Sequence, residues 1–361
     1  MADAVNRLVI RAPNWLGDAV MALPAMEAVR AAFGGAHLAV AAMPSIAPLF
    51  EEETSAGQDS VIALSSPTAE VRALKAGGFD AIVLLPNSFR SAWSARRASI
   101  PERWGYSAGA RRWLLTRAIS RARGRVHQST YFLDLVKGLG IAEGDLTPRV
   151  VVRPATLARA DALLAAHGVA PGVRCVGFAP GAAYGYAKRW PPRMVADTIV
   201  RLSRESSAVC VMFGAGGDRD SGREIESSLP PDVRAVNLIG RTDLRLLAGV
   251  IARCSAFVSN DSGAMHLAAA LGLPVVAIFG PTDERVTSPL GARLSAPGRP
   301  GELVTPDVLT HPVFCRPCML RDCPIDHRCM KGVTVDTVVS AVIRRLETAR
   351  RSESAREEVM K

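Results

Sequence analysis

Four groups of residues in this 361-residue chain have types and spacings that can do chemistry. The first is the turn Asn260-Asp261-Ser262-Gly263, set between an apolar run ending at Ser259 and an almost wholly apolar helical pattern reaching Leu271. Asp261 or Ser262 can cap that helix, and Gly272 and Pro274 can end it. The N–H groups of its first turn then form a seat for an anion such as a phosphate, with His266 about one turn further in. The same pattern also reads as a capped core helix with a satisfied histidine. The second group is APGAAYGYAKRWPP, residues 179–192, whose small residues let backbone approach a ligand while Lys188 and Arg189 bring positive charge. Lys188 can cancel charge on a phosphate leaving group. The third is Asp18, which follows Gly17 in APNWLGD and reads either as a helix cap or as a carboxylate exposed on a loop at the end of a strand. The fourth is Cys315, Cys318, Cys323 and Cys329 in C-x2-C-x4-C-x5-C, with His311 and His327 nearby. These thiols read as a structural zinc site, an iron–sulfur cluster, or a reduced set without metal.

Positioning these groups requires strands that end beside them. Strands are expected at Arg7 to Arg11, 37–42, 60–64 and 80–85, and helices from Pro24 to Phe33, at 68–76 and at 128–138, which leaves Asp18 on a loop. A linker rich in Gly and Pro spans 140–172 and contains a helix at 156–166. Beyond it strands are expected at 174–178, 208–213, 234–238, to 259 and 274–279, with helices at 192–205, 220–228 and 243–253. The reading is α/β: two Rossmann-like, doubly wound parallel-sheet domains facing a cleft, residues 1–155 and 156–345, followed by a charged, frayed tail at 346–361. The loop FGAGGDRD at 213–220 lacks a GxGxxG alignment, so no nicotinamide site is expected. Its Asp218 and Asp220 read as helix-capping acids rather than as a metal-binding DxD.

Composition narrows the classes. The sequence has no run of 18 uncharged apolar residues and no signal-peptide core at its N-terminus, so a cytoplasmic location is expected, with seven cysteines kept out of disulfides. The formal charge is +10, which calls for an acidic partner. The excess is concentrated at residues 90–125, which hold ten arginines, no lysine and one acid, Glu102, interleaved with Trp93, Trp104 and Trp113. Arginine at that density suits bidentate contact with phosphate or carboxylate groups. Nucleic acid, a membrane face, a charged glycolipid and plain solvation all fit this segment.

Taken together, RAPNWLGDAVMALPA, FAPGAAYGYAKRWP, GRTDL, SNDSGAMHLAAALGLPVVAIFGPTD and the CRPC…CP…RCM segment resemble the lipopolysaccharide core heptosyltransferases, most nearly their type II branch. The resemblance spans about residues 7–345. It implies a GT-B fold, an ADP-heptose donor, an anionic acceptor in the lipopolysaccharide inner core (heptosyl-Kdo2-lipid A), and inversion at the anomeric carbon with no cofactor. It further implies Asp18 as general base, Lys188 on the donor diphosphate, Asp261, Ser262, Gly263 and His266 at the diphosphate mouth, and Thr242 at the adenine. The chain departs from type I relatives at Ala183-Tyr184, where paired threonines stand, and at Gly216, where a ribose-binding glutamate stands. Backbone contacts by Ala183 and Tyr184, and Asp218 on the ribose, would replace them. Arg96, Arg97, Arg111 and Arg112 are the expected acceptor anchors, at the cytoplasmic face of the inner membrane. No nucleic-acid partner is expected. Two other classes remain: a basic nucleic-acid-binding protein, and a catalytically idle scaffold at the membrane surface.

Overall fold

Runs such as Leu8-Val9-Ile10 and Phe257-Val258 are apolar at consecutive positions and buried throughout, the signature of parallel strands covered by helices on both faces. In the computed structural model, which describes residues 5–121, 124–142, 144–293 and 303–359, the chain divides into two compact units, Met1–Val151 and Val152–Lys361.

Unit 1 runs β1 (Arg7–Arg11), α1 (Leu16–Met21), α2 (Leu23–Ala32), β2 (His37–Ala42), β3 (Ser60–Ala63), α3 (Pro67–Ala76), β4 (Ala81–Leu84), α4 (Phe89–Arg97), β5 (Glu102–Tyr106), β6 (Arg117–Ile119) and α5 (Gln128–Gly138). Its six-stranded sheet is ordered β3-β2-β1-β4-β5-β6, with Ile10 in register between Val40 and Val83. One face of this sheet packs Val9, Ile82 and Leu84 against Ala92 and Ala95 of α4.

Unit 2 runs α6 (Pro154–Ala166), β7 (Cys175–Ala179), α7 (Pro192–Ser206), β8 (Val209–Met212), α8 (Arg219–Ser227), β9 (Ala235–Asn237) and α9 (Leu244–Ile251). It continues with β10 (Ala256–Asn260), α10 (Gly263–Ala270), β11 (Val275–Phe279), α11 (Glu284–Thr287), β12 (Asp307–Thr310), α12 (Arg328–Lys331) and α13 (Val335–Val359). Its sheet is ordered β9-β8-β7-β10-β11-β12, with Phe178 between Met212 and Val258. Helices α7 and α13 cover one face of it through Ile199, Leu202, Val338 and Val342.

Both sheets share one plan: the order reverses beside the first strand, between β1 and β4 in unit 1 and between β7 and β10 in unit 2. In an open α/β sheet the crevice outside the carboxyl ends at that reversal is where ligands bind. The loops there are residues 12–15 and 85–88 in unit 1, and residues 180–191 and 261–262 in unit 2.

Three elements differ from expectation. A short helix, α1, precedes Pro24 and ends at Ala22, so Asp18 lies in a first helical turn and not on a loop. The arginine-rich segment contains α4, β5 and β6, with Trp104 and Tyr106 buried in the sheet. The helix that starts at Val335 continues to Val359. Residues 346–359 hold no Gly or Pro, so nothing in the backbone ends the helix there.

Candidate functional site

In unit 2 the side chain of Asn260, at the end of β10, fastens both ends of the 180–191 loop. Its Oδ1 accepts the Trp190 N–H at 3.2 Å, and its Nδ2 donates to the Pro180 carbonyl at 2.6 Å. Held this way, the loop makes a short turn at Tyr186–Lys188 and delivers the Lys188 ammonium to Asp261, 2.6 Å from Oδ2. Thr282, just beyond β11, donates its hydroxyl to the same oxygen at 2.8 Å. Ser262 caps α10 by accepting the Met265 N–H, and its hydroxyl lies 2.9 Å from that of Ser259. The first-turn N–H groups of Gly263 and Ala264 have no acceptor inside the helix, so a cation and a helix N-terminus converge on one spot. His266 is buried within α10. Such an arrangement can hold a diphosphate and take up the charge that develops as it leaves.

The neighbouring contacts set the shape of this loop. Arg189 pairs with Asp218 at 2.9 Å, and Asp218 also accepts the Ala215 N–H. Gly181 permits that approach, since a Cβ there would fall 2.3 Å from the Asp218 carboxyl carbon. Thr242 is half-buried immediately before Asp243, the cap of α9. Ala183 and Tyr184 are exposed; the Tyr184 hydroxyl donates to the Met319 carbonyl, and its ring lies 4.7 Å from the Lys188 ammonium. The Arg321 carbonyl accepts the Ala187 N–H at 2.9 Å. A Cβ on Gly185 would sit 2.4 Å from that carbonyl, so the loop lies flush on the cysteine-bearing segment.

That segment serves the loop as a prop. Among the described residues no group of three or more His, Cys, Asp or Glu side chains is placed to hold a metal ion, so the expectation of zinc or an iron–sulfur cluster on Cys315, Cys318, Cys323 and Cys329 finds no support. Cys329, on α12, packs into the core with its sulfur close under Gly280, where a buried thiol serves as a small apolar side chain. Burial raises its thiol above the ordinary range. Cys323 moves the other way: burial acts to raise it, but the N–H groups of Ile325, His327 and Asp326 outweigh that and lower it.

In unit 1, Asp18 follows Gly17 in the first turn of α1 and lines a cavity of about 210 Å³ with Asn14, Trp15, Asn87, Gln128 and Tyr131. Arg11, buried at the end of β1, fixes the rim by donating to Asn14 at 2.8 Å while pairing with Glu70. On the opposite rim, Asn87 donates to the Tyr131 hydroxyl at 2.6 Å and accepts from Arg111 at 3.3 Å.

Arg111 departs most from the sequence reading. It is fully buried, and its guanidinium also donates to the carbonyls of Tyr106 (3.0 Å), Pro86 (2.5 Å) and Ser88 (3.3 Å) and to the Ser91 hydroxyl (3.2 Å). Burial pulls it down to about 10, so it stays charged at neutral pH. It therefore braces the loop at 86–88 and presents nothing to solvent. Arg103 and Arg117 are likewise committed to backbone carbonyls. Arg96, Arg97 and Arg112 are exposed, and Arg123 lies outside the described residues. Sequence reasoning missed Asn260, Thr282, Asn87 and Arg111 as positioning groups, since each acts across tens of residues and carries no local pattern.

Comparison with known proteins fixes the family. Residues 68–304 match the model for glycosyltransferase family 9 (heptosyltransferase), more than half of the chain. The chain belongs to glycosyltransferase family 9. It is thus a glycosyltransferase enzyme. This family member is 32% identical over 304 residues to the lipooligosaccharide heptosyltransferase 2 of Haemophilus influenzae, covering 79% of this chain and 86% of that one. It is 31% identical over 299 residues to the lipopolysaccharide heptosyltransferase 2 of Salmonella typhimurium, covering 79% and 85%. Among solved structures, the E. coli ADP-heptose LPS heptosyltransferase II superposes with a TM-score of 0.79 at 25% identity, over 95% of this chain and 99% of that one. A family 9 glycosyltransferase from Veillonella parvula superposes with a TM-score of 0.81 at 20% identity, over 95% and 98%, and supports the fold. The two parallel six-stranded sheets are those of the GT-B class.

Proposed function

We propose that this glycosyltransferase moves L-glycero-D-manno-heptose from ADP-heptose to the inner-core heptose of heptosyl-Kdo2-lipid A, with inversion and without a metal ion. The observation that carries the reading is the Lys188 ammonium held beside Asp261 at the mouth of α10. The names of relatives about 30% identical, lipopolysaccharide and lipooligosaccharide heptosyltransferase 2, supply the sugar and the acceptor class.

In the proposed step an acceptor hydroxyl oxygen forms the new bond to the anomeric carbon as the bond to the diphosphate oxygen breaks. The hydroxyl proton passes to Asp18, and ADP departs with the bonding electrons. Lys188 and the α10 N–H groups meet the charge that grows on the leaving group, which is the work a divalent cation does elsewhere. The base contributes ~10²–10⁴-fold in rate. The exposed Arg96, Arg97 and Arg112 engage the phosphate and carboxylate groups of the acceptor, which is presented at the cytoplasmic face of the inner membrane.

Purified protein given ADP-heptose and a panel of defined inner-core acceptors, with chelator present, tests the whole reading. The expected product is acceptor plus one heptose of inverted anomeric configuration. Transfer only to an acceptor lacking the first heptose, or only to an outer-core sugar, would reassign the chain to another acceptor within the family. Loss of activity with chelator that is restored by a divalent ion would remove the metal-free step.

A further inference from the structure

Helix α4 places its residues the opposite way from an ordinary surface helix. Ser91, Ala92, Ser94 and Ala95 face inward, and the exposed stripe is Phe89, Arg90, Trp93, Arg96 and Arg97. Phe89 is 43% exposed and Trp93 42% exposed, with their rings stacked at 6.2 Å. Trp113, from the turn before β6, is 69% exposed and brings its ring to 6.0 Å from Phe89. Three large aromatic rings thus lie together in water, flanked by Arg90, Arg96, Arg97 and Arg112, and neither 89–97 nor 111–113 contains an acid. A soluble surface gains nothing from such a cluster, and exposed apolar patches rimmed by charge mark places of contact.

We propose that Phe89, Trp93 and Trp113 form a wedge that enters the interfacial zone of an anionic bilayer and seats the Asp18 cavity at that surface. The chemistry matches on both counts. Tryptophan and phenylalanine partition to the headgroup level with their apolar rings toward the acyl chains, and arginines on the same face meet anionic headgroups. Position adds a second argument. Asn87, which lines the Asp18 cavity, is two residues from Phe89, and buried Arg111 bonds to the 86–88 loop while its neighbours Arg112 and Trp113 are exposed. The wedge and the cavity rim are therefore fastened to one buried guanidinium, and a lipid-linked sugar in the same leaflet needs no extraction to reach Asp18. This inference rests on the reading of the Asp18 cavity as the acceptor side.

The test uses the full chain and vesicles of phosphatidylethanolamine with phosphatidylglycerol, at low and at high salt. Parent protein is expected to retain part of its binding at high salt, because ring insertion is not screened. The triple variant Phe89→Ser/Trp93→Ser/Trp113→Ser should lose on the order of tenfold or more of that salt-resistant affinity, while turnover of a delipidated, water-soluble acceptor stays at the parental value. Brominated lipids should quench parental fluorescence and leave Trp93→Phe/Trp113→Phe largely unquenched, a readout independent of the triple variant. Equal high-salt binding by parent and triple variant, or equal quenching of parent and the double variant, would overturn the wedge. Binding to single-stranded RNA in place of vesicles would overturn it too, since the rings would then be stacking bases. Vesicle binding that depends on the rings, in a protein that transfers sugar to none of the acceptors, would leave the wedge standing and remove the proposed activity instead.

Discussion

Replacing Lys188 by methionine separates what the Lys188–Asp261 pair does for the fold from what it does for the donor. The two side chains are only 13% and 7% exposed, with Nζ and Oδ2 2.6 Å apart. Methionine keeps most of the lysine volume and leaves the Asp261 carboxylate inside the protein with the Thr282 hydroxyl still donating to it. Removing one partner of a buried pair costs about 3–5 kcal/mol, because a charge remains without its counterion. The surviving Thr282 bond places Lys188→Met at the lower end, about 3 kcal/mol. Asp261→Asn strands the ammonium instead, which can reach water more easily, and should cost about 2 kcal/mol. In Lys188→Met/Asp261→Asn no charge is stranded, so the double variant should cost no more than the worse single, a coupling of about 2 kcal/mol. Amide exchange of β10 and β11 under mild denaturant isolates unit 2 and reads these values directly. ADP affinity should fall roughly 10–100-fold in both variants that lack the lysine, the worth of one charge-assisted bond to a diphosphate. Additivity of the two single costs within ~0.5 kcal/mol would refute the claim that the two groups act as a pair.

Other substitutions probe the remaining assignments. Asp18→Asn should lower kcat about 10²–10⁴-fold with a verified acceptor and leave ADP affinity, measured by titration calorimetry, at the parental value. Arg111→Met should destabilise unit 1 by about 3 kcal/mol, because several carbonyls lose a charged donor at once. Arg96→Gln/Arg97→Gln should leave thermal stability unchanged and raise the acceptor KM at low salt, so similar melting curves for the two variants would remove the distinction between brace and surface. Cys323 should alkylate first of the seven cysteines: its thiol is lowered below the ordinary value near 9, so its thiolate fraction rises earliest as pH increases toward that value. Peptide mapping after brief iodoacetamide treatment at pH 7.5 checks the order, and labelling of Cys315 or Cys318 ahead of Cys323 would contradict it.

The geometry of the 260–263 turn and the Lys188 loop, the proposed donor side, was legible because its signals are local. The apolar strand, the capped turn at 260–263 and the helix to Ala270 are all written within one stretch, and Lys188 stands in a loop whose glycine and alanines announce close approach. Around Asp18 the cavity depends on partners that are distant in sequence. Nothing near Arg111 says that carbonyls from Pro86, Ser88 and Tyr106 will enclose it, so it reads as one more cation in a basic run. β5 and β6 were hidden for the same reason: Trp104 and Tyr106 are buried by the sheet, while the arginines around them mask the alternation. The cysteine segment misled through composition. Four thiols suggest a metal, but among the described residues they form no group placed to hold one.

The contact between the lysine turn and the cysteine segment bears on the order in which the enzyme matures. Tyr184 reaches across 135 residues to the Met319 carbonyl, and Ala187 leans on the Arg321 carbonyl. During synthesis β7 to β10 can leave the ribosome and pair while that prop has yet to be made, because most of the sheet precedes it. The lysine turn then waits, its small residues free to sample other shapes, until the stretch around Arg321 has emerged and folded back. A nascent chain stopped near residue 310 would therefore own a nearly complete sheet and an unpropped lysine turn, so the proposed grip on a nucleotide would arrive late and all at once.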